Sequence, residues 1–394
     1  MARRETLIAR SIVYSLLTAN RDGEPKRHPS LLARIFGLFN LYWLTFQLVR
    51  EDLFSALRDF WAIRDEDYKA SFDSESKYDR NKKIDSLHAM GDMGYSGSTF
   101  YRTSDSAYVV KSVPRRFEHM FFKNDMLLPY VDHMHAEPSS LLVRITDFLE
   151  CTQKSIGTLL GLAPSHHIVM ENILYGQDQY SDEGPQAKWE SWDLKPTSYF
   201  YPERDVVGGA LASEATKSRL ADKFDDKVYL SLNDAEDFKA QLEKDTKLLA
   251  NCNAVDYSLF LVRVSAEVAP DSEAQPDLQS GETSSQPVPP AQPPFAPPGL
   301  PTWRTGIKSS DGKSVYRAAI LDFFWAKHTA HAKAMTGLIE SYNVIDEQGP
   351  MSVTTTSSEY RERFLRMCRE MVEVERGWNG QGQVEEQGEE NGDS

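Results

Sequence analysis

The feature that most constrains this chain is a pair of apolar runs separated by a long segment rich in proline. The runs read YSLFLVRV (257–264) and SVYRAAIL (314–321), and their short length and their β-branched and aromatic residues are typical of β-strands. Ten of the 20 prolines of the chain lie between them, in residues 266–302. Because a long loop adds little to the entropy of closing a hairpin, we interpret the two runs as an antiparallel hairpin with 266–302 at its tip.

Two aspartates flank this predicted hairpin at the end opposite the proline-rich tip. Asp256 directly precedes the first run, and Asp322 directly follows the second. In an antiparallel pair the start of one strand lies beside the end of the other, so we expect the two carboxylates to converge. Close carboxylates repel each other unless a cation lies nearby, and Mg²⁺ bound by one or two carboxylates and by phosphate oxygens is a common solution. The pattern therefore predicts a magnesium site at the open end of the hairpin.

The chain around the hairpin alternates between strand and helix patterns. Strand patterns also cover 106–113 and 166–174, and helical periodicity covers 51–63, 115–135, 234–251 and 358–374. We expect the third of these helices to begin at Asp234 as its N-cap. Strands and helices in this mixed order predict an α+β fold, with antiparallel sheets and flanking helices.

The net charge of −15 is concentrated in two segments of low complexity. Residues 266–302 and 378–394 each carry five acidic residues and no Lys or Arg. Segments of this composition cannot bury a core, so we predict that the insertion 266–302 and the tail 377–394 are disordered. The acidic balance argues against broad nucleic-acid binding. The stretch 287–299 fits a polyproline II ligand of an aromatic-groove domain, although a plain spacer is the simpler interpretation.

The aromatic-rich residues 1–50 are predicted to form an N-terminal helical extension. Their apolar run 31–49 is interrupted by Arg34, which favours a buried or membrane-surface helix over a transmembrane one. Packing on the core, a homodimer contact and a membrane-facing position stay open for this region. The three cysteines lack metal-binding spacing, so we expect reduced thiols in a cytoplasmic protein.

A glycine-rich segment upstream of the hairpin has the composition of a phosphate-binding loop. Residues 91–113 contain Gly91, Gly94 and Gly97, followed by a strand pattern that carries Lys111 near its end. Glycines let backbone N–H groups approach phosphate oxygens, and a lysine on the next strand can pair with the α- and β-phosphates, as in kinases. The order of parts is a glycine loop, a lysine, an apolar IVMEN segment, an aspartate before a strand and an aspartate after the next strand. This is the order found in a two-lobed kinase.

In this order the segments resemble the phosphatidylinositol phosphate kinases, which are lipid kinases distantly related to protein kinases. The similarity runs from about 50 to 372 without 266–302. It rests on FSALRDFWAIRDEDYKASF (54–72), YSGSTFYRTSDSAYVVKSV (95–113), SLLVRITDFLE (140–150), HHIVMENIL (166–174), WDLKPTSYF (192–200), LEKDTKLLANCNAVDYSLFLV (242–262), AAILDFF (318–324) and SEYRERFLRMC (358–368). A protein kinase is disfavoured, because neither HRDxxxxN nor APE occurs.

The resemblance implies a two-lobed lipid-kinase fold and a phosphotransferase activity. The catalytic domain would cover 51–265 and 303–376. It would transfer the γ-phosphate of ATP, with Mg²⁺, to a phosphoinositide at a membrane surface, where the protein would bind peripherally. The favoured substrate is phosphatidylinositol 4-phosphate, phosphorylated at its 5-hydroxyl.

The resemblance also implies roles for individual residues. Lys111 would bind the α- and β-phosphates, and Glu118 in the following helix would pair with Lys111. Asp256 would orient or deprotonate the inositol hydroxyl, Asp322 would hold Mg²⁺, and Lys195 would neutralise charge on a phosphate or on the headgroup. Further ATP-binding residues would be Gly94, Ser96, Gly97 and Ser98 in the loop, and Met170, Glu171, Asn172 and Ile173, which would form a hinge segment at the adenine.

Two segments depart from the family pattern and leave a second interpretation open. The family sequence DLKGS has become DLKPT, so Pro196 lacks an N–H where the family has a glycine. The family's paired-lysine cluster after Asp322 has become a thin basic stripe. The candidate headgroup-binding residues are Lys195, Arg204, Lys327, His331 and Lys333. The alternative is a catalytically weak or inactive pseudokinase that acts as a phosphoinositide-pathway binding or scaffold protein.

Overall fold

Two larger antiparallel sheets, with helices packed on them, form the described part of the protein. The structure is a computed structural model, and it describes residues 3–18, 42–73, 86–91, 98–152, 155–159, 162–177, 187–196, 224–266, 302–326 and 355–374. The helices are α1 (Arg3–Thr18), α2 (Glu51–Phe60), α3 (Asp65–Phe72), α4 (Arg116–Phe121), α5 (Leu127–Ala136), α6 (Ile156–Leu159), α7 (Leu232–Asn251) and α8 (Ser357–Met371), and a π-helical turn, Phe122–Met126, joins α4 to α5.

The strands fall into a six-stranded sheet, a four-stranded sheet and two short pairs. They are β1 (Phe46–Leu48), β2 (Leu87–Gly91), β3 (Phe100–Thr103), β4 (Tyr108–Ser112), β5 (Ile145–Cys151), β6 (His166–Glu171), β7 (Ala187–Leu194), β8 (Val228–Leu230), β9 (Ala254–Val255), β10 (Ser258–Ala266), β11 (Ile307–Lys308), β12 (Ser314–Leu321), β13 (Trp325–Ala326) and β14 (Val372–Val374). The mixture of helices and antiparallel sheets confirms the predicted α+β class.

The six-stranded sheet has the order β1-β5-β6-β4-β3-β2, and its two faces carry different chemistry. Lys111 and Phe100 are register partners and therefore share one face, on which the lysine Nζ lies 5.3 Å from the ring centroid of Phe100. Strand alternation turns Tyr108 to the other face, where its ring meets Tyr68 of α3 edge-on at 5.0 Å. One face thus carries Lys111, and the other is covered by helices.

The four-stranded sheet has the order β11-β12-β10-β7 and contains the predicted hairpin. β10 and β12 pair antiparallel in continuous register from Ser258 opposite Leu321 to Ser265 opposite Ser314. The antiparallel pairing predicted for 257–264 and 314–321 is therefore confirmed. Residues 267–301 of the predicted insertion lie outside the described residues, as do 287–299 and the tail 377–394.

Helix α1 is packed into the core of the six-stranded sheet. Its residues Ile8, Ile12 and Leu16 are buried. The hydroxyl oxygens of Ser11 and Ser15 accept hydrogen bonds from the amides of Leu44 (3.0 Å) and Phe46 (3.1 Å), just before and within the edge strand β1. The described part of residues 1–50 therefore covers a sheet edge that would otherwise expose N–H groups.

Helices α2 and α3 are fixed to the same sheet by a buried ion pair. Arg58 and Asp147 are both fully buried, with 2.9 Å between the guanidinium and the carboxylate. Arg58 also donates to the carbonyl of Thr146 (2.5 Å), and the hydroxyl of Tyr68 donates to Asp147 (2.7 Å). These contacts make residues 51–72 part of the folded core.

Several element ends differ from the predicted ones. The N-cap of α7 is Ser231 instead of Asp234, because the serine Oγ accepts a hydrogen bond from the Asp234 amide at 3.1 Å. The helix predicted over 51–63 ends at Phe60, and a left-handed Ala62 (φ 57°) separates it from α3. The helix predicted over 358–374 ends at Met371, because Val372–Val374 pairs in parallel with β8. Within the described ranges, no helix has the length and apolar character needed to cross a membrane.

Candidate active site

The open end of the β10–β12 hairpin carries both predicted aspartates. Asp322 directly follows Leu321, which pairs with Ser258, and Asp256 lies two residues before Ser258. Beyond the aspartates the chains pair again, because β9 and β13 match Val255 with Trp325 and Ala254 with Ala326. The two carboxylates therefore stand at a break in an otherwise continuous antiparallel ladder.

Both aspartates adopt a backbone conformation that few residues tolerate. Asp256 has φ 66° and Asp322 has φ 62°, in the left-handed region. Aspartate is several-fold enriched there among non-glycine residues, because its short side chain bonds locally. Such residues cost on the order of 1–3 kcal/mol each and persist where the surrounding structure fixes them. Here the paired strands on both sides of the break supply that support.

Each aspartate is paired with a predicted lysine. The ammonium of Lys111, from the six-stranded sheet, forms a short ion pair with Asp322, from the end of β12. The ammonium of Lys195, just after β7, lies 3.0 Å from an oxygen of Asp256. The cleft between the two sheets therefore brings together the four residues predicted for phosphate, metal and hydroxyl chemistry.

The charges in the cleft shift the pKa values of its members. Desolvation raises the pKa of Asp322, but Lys111 and Lys195 outweigh it, so the pKa lies below the ordinary aspartate value. Desolvation lowers the pKa of Lys195, but Asp256, Asp193 and Asp322 outweigh it, so the ammonium stays charged. The pKa of Asp193 is raised, mainly by desolvation. The charge of Lys195 lowers this pKa and the charge of Asp322 raises it.

Asp193 was missed as a site residue by the sequence reasoning. It lies on β7, two positions before Lys195, and its charge contributes to the raised pKa of that lysine. Within DLKPT, the sequence analysis assigns a role to Lys195 and a departure to Pro196, and none to Asp193. The period-of-two pattern within that segment was the signal that could have identified Asp193.

The carboxylates fit a Mg²⁺ ion that is completed by phosphate oxygens. Oxygen Oδ1 of Asp256 is buried and has no hydrogen-bond partner in the described part of the chain, which leaves a lone-pair site for a ligand. Asp193 and Asp322 add carboxylate oxygens close enough to influence each other's ionisation. Within the described ranges, no group of three or more His, Cys, Asp or Glu side chains could hold a metal by itself. Protein sites for Mg²⁺ commonly use only one or two carboxylates together with substrate phosphates.

The glycine-rich loop is only partly described. Gly94, Ser96 and Gly97 lie outside the described residues, while Ser98 is buried at the start of the returning chain. The amide of Thr99 donates to the hydroxyl of Ser112 at 2.8 Å, which ties this end of the loop to the strand that carries Lys111. On either side of residues 92–97, β2 and β3 pair antiparallel, and β3 in turn pairs with the strand that carries Lys111.

The ion pair predicted between Lys111 and Glu118 is not formed. Within the described ranges, Lys111 pairs with Asp322, and Glu118 lies 3.2 Å from Arg115. Arg115 precedes Glu118 by three positions at the start of α4, so the two side chains are neighbours along the helix. A lysine on the adjacent strand must compete with that local partner.

The hinge segment, Met170–Ile173, connects β6 of the first sheet to the chain that leads to β7, and all four of its residues are buried. The amide of Glu171 donates to the carbonyl of Arg144 (3.0 Å), and the amide of Asn172 donates to the carbonyl of Ala107 (3.1 Å). Within the described ranges, no group accepts a hydrogen bond from the amide of Ile173. Of the amides of Glu171, Asn172 and Ile173, that of Ile173 is thus the one without an acceptor among the described residues.

The predicted headgroup-binding residues are mostly outside the described part of the chain. Arg204, Lys327, His331 and Lys333 all lie there, so only Lys195 of this set has a described position. Trp325, at the start of the segment that bears the basic stripe, is buried, and its ring contacts Phe117 at 4.4 Å. It packs against α4 instead of facing solvent.

Comparisons with known proteins agree with the geometry of the cleft. Residues 81–371 match the sequence profile of a family described as phosphatidylinositol-4-phosphate 5-kinase. A probable phosphatidylinositol phosphate kinase of Dictyostelium discoideum is 24% identical over 215 residues, which are 53% of this chain and 26% of that protein. A phosphatidylinositol 4-phosphate 5-kinase of Plasmodium falciparum is 33% identical over 97 residues, which are 24% of this chain and 5% of that protein. The matched regions thus span about a quarter or less of the length of these relatives.

Proposed function

Since the chain belongs to the phosphatidylinositol-4-phosphate 5-kinase family, we propose that it is a lipid kinase that transfers the γ-phosphate of ATP to a phosphatidylinositol monophosphate. The observation that carries the proposal is the pair of Lys–Asp contacts at the break in the hairpin, Lys111 with Asp322 and Lys195 with Asp256. We propose phosphatidylinositol 4-phosphate as the substrate and its 5-hydroxyl as the acceptor, at a membrane surface to which the protein binds peripherally.

The proposed reaction uses positioning and charge more than covalent chemistry by the protein. Asp256, one oxygen of which is buried without a hydrogen-bond partner among the described residues, would accept a hydrogen bond from the attacking inositol hydroxyl. It would take the proton as the hydroxyl oxygen bonds to the γ-phosphorus and the bond from the γ-phosphorus to the β–γ bridging oxygen breaks, so that ADP leaves. Lys195, whose ammonium lies 3.0 Å from the Asp256 carboxylate, would stabilise negative charge as transfer proceeds.

The nucleotide would bind on the opposite side of the same cleft. Lys111 would leave Asp322 for the α- and β-phosphates, and the amide of Ile173 would donate to the adenine. Asp322 would hold Mg²⁺, with Asp193 as a second carboxylate in reach, and the ion would neutralise charge on the β- and γ-phosphates. The depressed pKa of Asp322 keeps it ionised for this role at neutral pH.

The test is transfer of labelled phosphate from ATP to vesicles that contain phosphatidylinositol 3-, 4- or 5-phosphate in phosphatidylcholine. We expect the 4-phosphate to be the best substrate and Asp322→Asn to lower the rate at least about a hundredfold. Asp237→Asn, the same chemical change at an exposed position of α7, should leave the rate unchanged. Transfer that is absent, or that does not depend on Asp322, would contradict the proposal.

A second candidate is a phosphoinositide-binding protein that has lost phosphate transfer. The observation that favours it is Pro196, which is buried and removes a backbone donor directly after Lys195. In that case wild-type protein would bind vesicles with phosphatidylinositol 4-phosphate and show no transfer in the same assay. Pro196→Gly would restore transfer if the missing N–H is the cause.

A further inference from the structure

Arg317 is a buried arginine whose guanidinium is directed at the chain just beyond β6. It lies on β12 and is fully buried. It donates to the carbonyl of Ile173 at 3.2 Å and to the carbonyl of Tyr175 at 2.7 Å, and its guanidinium carbon is 5.7 Å from the ring centroid of Trp189. A guanidinium is costly to bury unless its donors find acceptors in good geometry, so these carbonyls are held where the arginine needs them.

Arg304 holds the other end of the hinge segment. Its guanidinium forms a short, buried ion pair with Glu171 and donates to the carbonyls of Ser140 (2.5 Å) and Leu142 (2.6 Å). The Glu171 carboxylate also accepts a hydrogen bond from the backbone amide of Arg144 at 2.8 Å. Desolvation and the charge of Arg304 lower the pKa of Arg144 to about 10, which shows how closely the charges are packed around Glu171.

Two arginines from outside the six-stranded sheet therefore fix the hinge segment on both sides of one amide. Arg304 fixes the side chain of Glu171, and Arg317 fixes the carbonyl of Ile173 and the next turn. The N–H of Ile173 lies between these two attachments and has no acceptor within the described ranges. The Ile173 N–H shares a planar peptide unit with the carbonyl of Asn172, which accepts a hydrogen bond from the amide of Tyr175 at 3.1 Å. Because Arg317 holds the carbonyl of that same Tyr175, it supports the turn that sets the orientation of this peptide unit.

We propose that Arg317, with Arg304 at the other end, is a positioning residue that orients the Ile173 amide for recognition of the nucleotide base. This inference rests on the proposed function, because it assumes that ATP binds in the cleft. It concerns the base alone, since neither arginine contacts Lys111, Lys195 or the aspartates that would meet the phosphates within the described ranges. A purely structural role would weaken all ligands of the cleft together, whereas a positioning role weakens only ligands that carry a base.

The test compares the binding of MgATP with that of magnesium tripolyphosphate, which has the phosphates without the base. Arg317→Met keeps an unbranched apolar side chain and removes the donors, so we expect the Kd for MgATP to rise about tenfold, the loss that follows from weakening one well-oriented hydrogen bond. The Kd for tripolyphosphate should change less than about twofold. Nη1 of Arg317 donates to both carbonyls. Arg317→Lys retains a charged donor on a shorter side chain, so its effect should fall between wild type and Arg317→Met.

A matched control is available on the neighbouring strand. Arg263 of β10 also lies over a tryptophan of β7, with its guanidinium carbon 5.2 Å from the ring centroid of Trp192, and it pairs with Glu190 at 2.8 Å, but it makes no contact with the hinge segment within the described ranges. Arg263→Met should leave the affinity for both ligands unchanged. If Arg317→Met does not fold, Arg317→Lys and Glu171→Gln, each checked by thermal unfolding, carry the same test from both ends of the segment.

The outcomes separate this inference from the proposed function. Wild-type protein that binds neither MgATP nor tripolyphosphate would overturn the proposed function and the inference together. Wild-type protein that binds MgATP while the Arg317 variants bind it equally well would overturn the inference alone. Parallel weakening of both ligands would also overturn it, because it would assign Arg317 a structural role only.

Discussion

The cleft and the helix-covered face of the six-stranded sheet both contain ion pairs, but the two regions hold them differently. In the cleft, the side chain of Asp322 is about a third exposed (34%). The backbones of Asp322 and Asp256 are both in the left-handed conformation. On the covered face, Arg58 and Asp147 are fully buried and bound further by Tyr68 and the backbone. The first arrangement leaves charges accessible to a substrate, and the second ties separate elements together.

This difference predicts that removing a carboxylate affects activity in one region and stability in the other. Loss of a cleft carboxylate should lower activity and spare stability. Loss of the covered one should lower stability and spare the activity of whatever protein remains folded. Each of the following experiments therefore needs both readouts on the same preparation.

The largest effect is expected at Asp256. Asp256→Asn keeps the shape of the side chain and tolerates φ 66°, but it cannot take a proton, so kcat should fall about a thousandfold. The unfolding temperature should stay within about 3 °C of wild type, as for a change of less than 1 kcal/mol. Labelled-phosphate transfer and thermal unfolding measure the two quantities. A rate that falls only in step with the folded fraction would show that Asp256 has no chemical role.

Asp147→Asn should produce the next largest effect, on stability instead of rate. Removing the buried carboxylate leaves Arg58 with the more distant, partly exposed carboxylate of Asp65 at 3.8 Å, so the loss should be about 3 kcal/mol. The measurement is urea unfolding, with kcat determined at a temperature where the variant is folded. The matched control is Asp67→Asn, whose exposed pair with Arg64 at 2.7 Å should contribute less than about 1 kcal/mol. Equal losses in the two variants would remove the distinction between the covered face and the surface.

Lys111→Met should lower kcat/KM for ATP about a hundredfold, equivalent to roughly 2.7 kcal/mol of transition-state stabilisation. The reason is that the variant lacks the ammonium of Lys111, which pairs with Asp322 and which we propose to bind the α- and β-phosphates. Lys123→Met removes a lysine that pairs with Glu150 at 2.7 Å, away from the cleft aspartates, and serves as the control. If both variants lose activity equally, the contact between Lys111 and Asp322 is not specific to catalysis.

The parts of the fold that could be predicted are those whose signal is local. The hairpin followed from two short apolar runs and the residues at their ends, and its register placed Ser258 opposite Leu321. Asp256 and Asp322 followed from the same runs, because position relative to a strand end fixes where a side chain emerges. The glycine loop and Lys111 were likewise contiguous in sequence.

The parts that could not be predicted depend on partners far apart in the chain. Arg304 and Glu171 are separated by 133 positions, and Arg317 and Ile173 by 144, so no spacing rule links them. The predicted partnership of Glu118 with Lys111 was wrong for a related reason. A family resemblance does not reveal that this chain has an arginine three positions before Glu118. That residue, Arg115, lies 3.2 Å from the Glu118 carboxylate.

The smallest effect concerns the pH dependence of stability, and it tests whether buried histidines beside the cleft must be neutral. The ring of His119 on α4 stacks on that of His166 on β6, with centroids 3.5 Å apart and an angle of 11° between the ring planes. Burial, and then the proximity of His166, lower the pKa of His119 to about 4.

The unfolded chain binds this proton near pH 6.5, so stability should be unaffected above that pH and should fall as the pH drops from 6.5 toward 4. Urea unfolding at pH 7.5 and 5.5 should show a loss of about 1 kcal/mol from this group in the wild type, and His119→Phe, which keeps a stacking ring, should lose correspondingly less. Equal losses in both proteins would mean that the proton is accommodated in the folded state and that His119 is not held neutral.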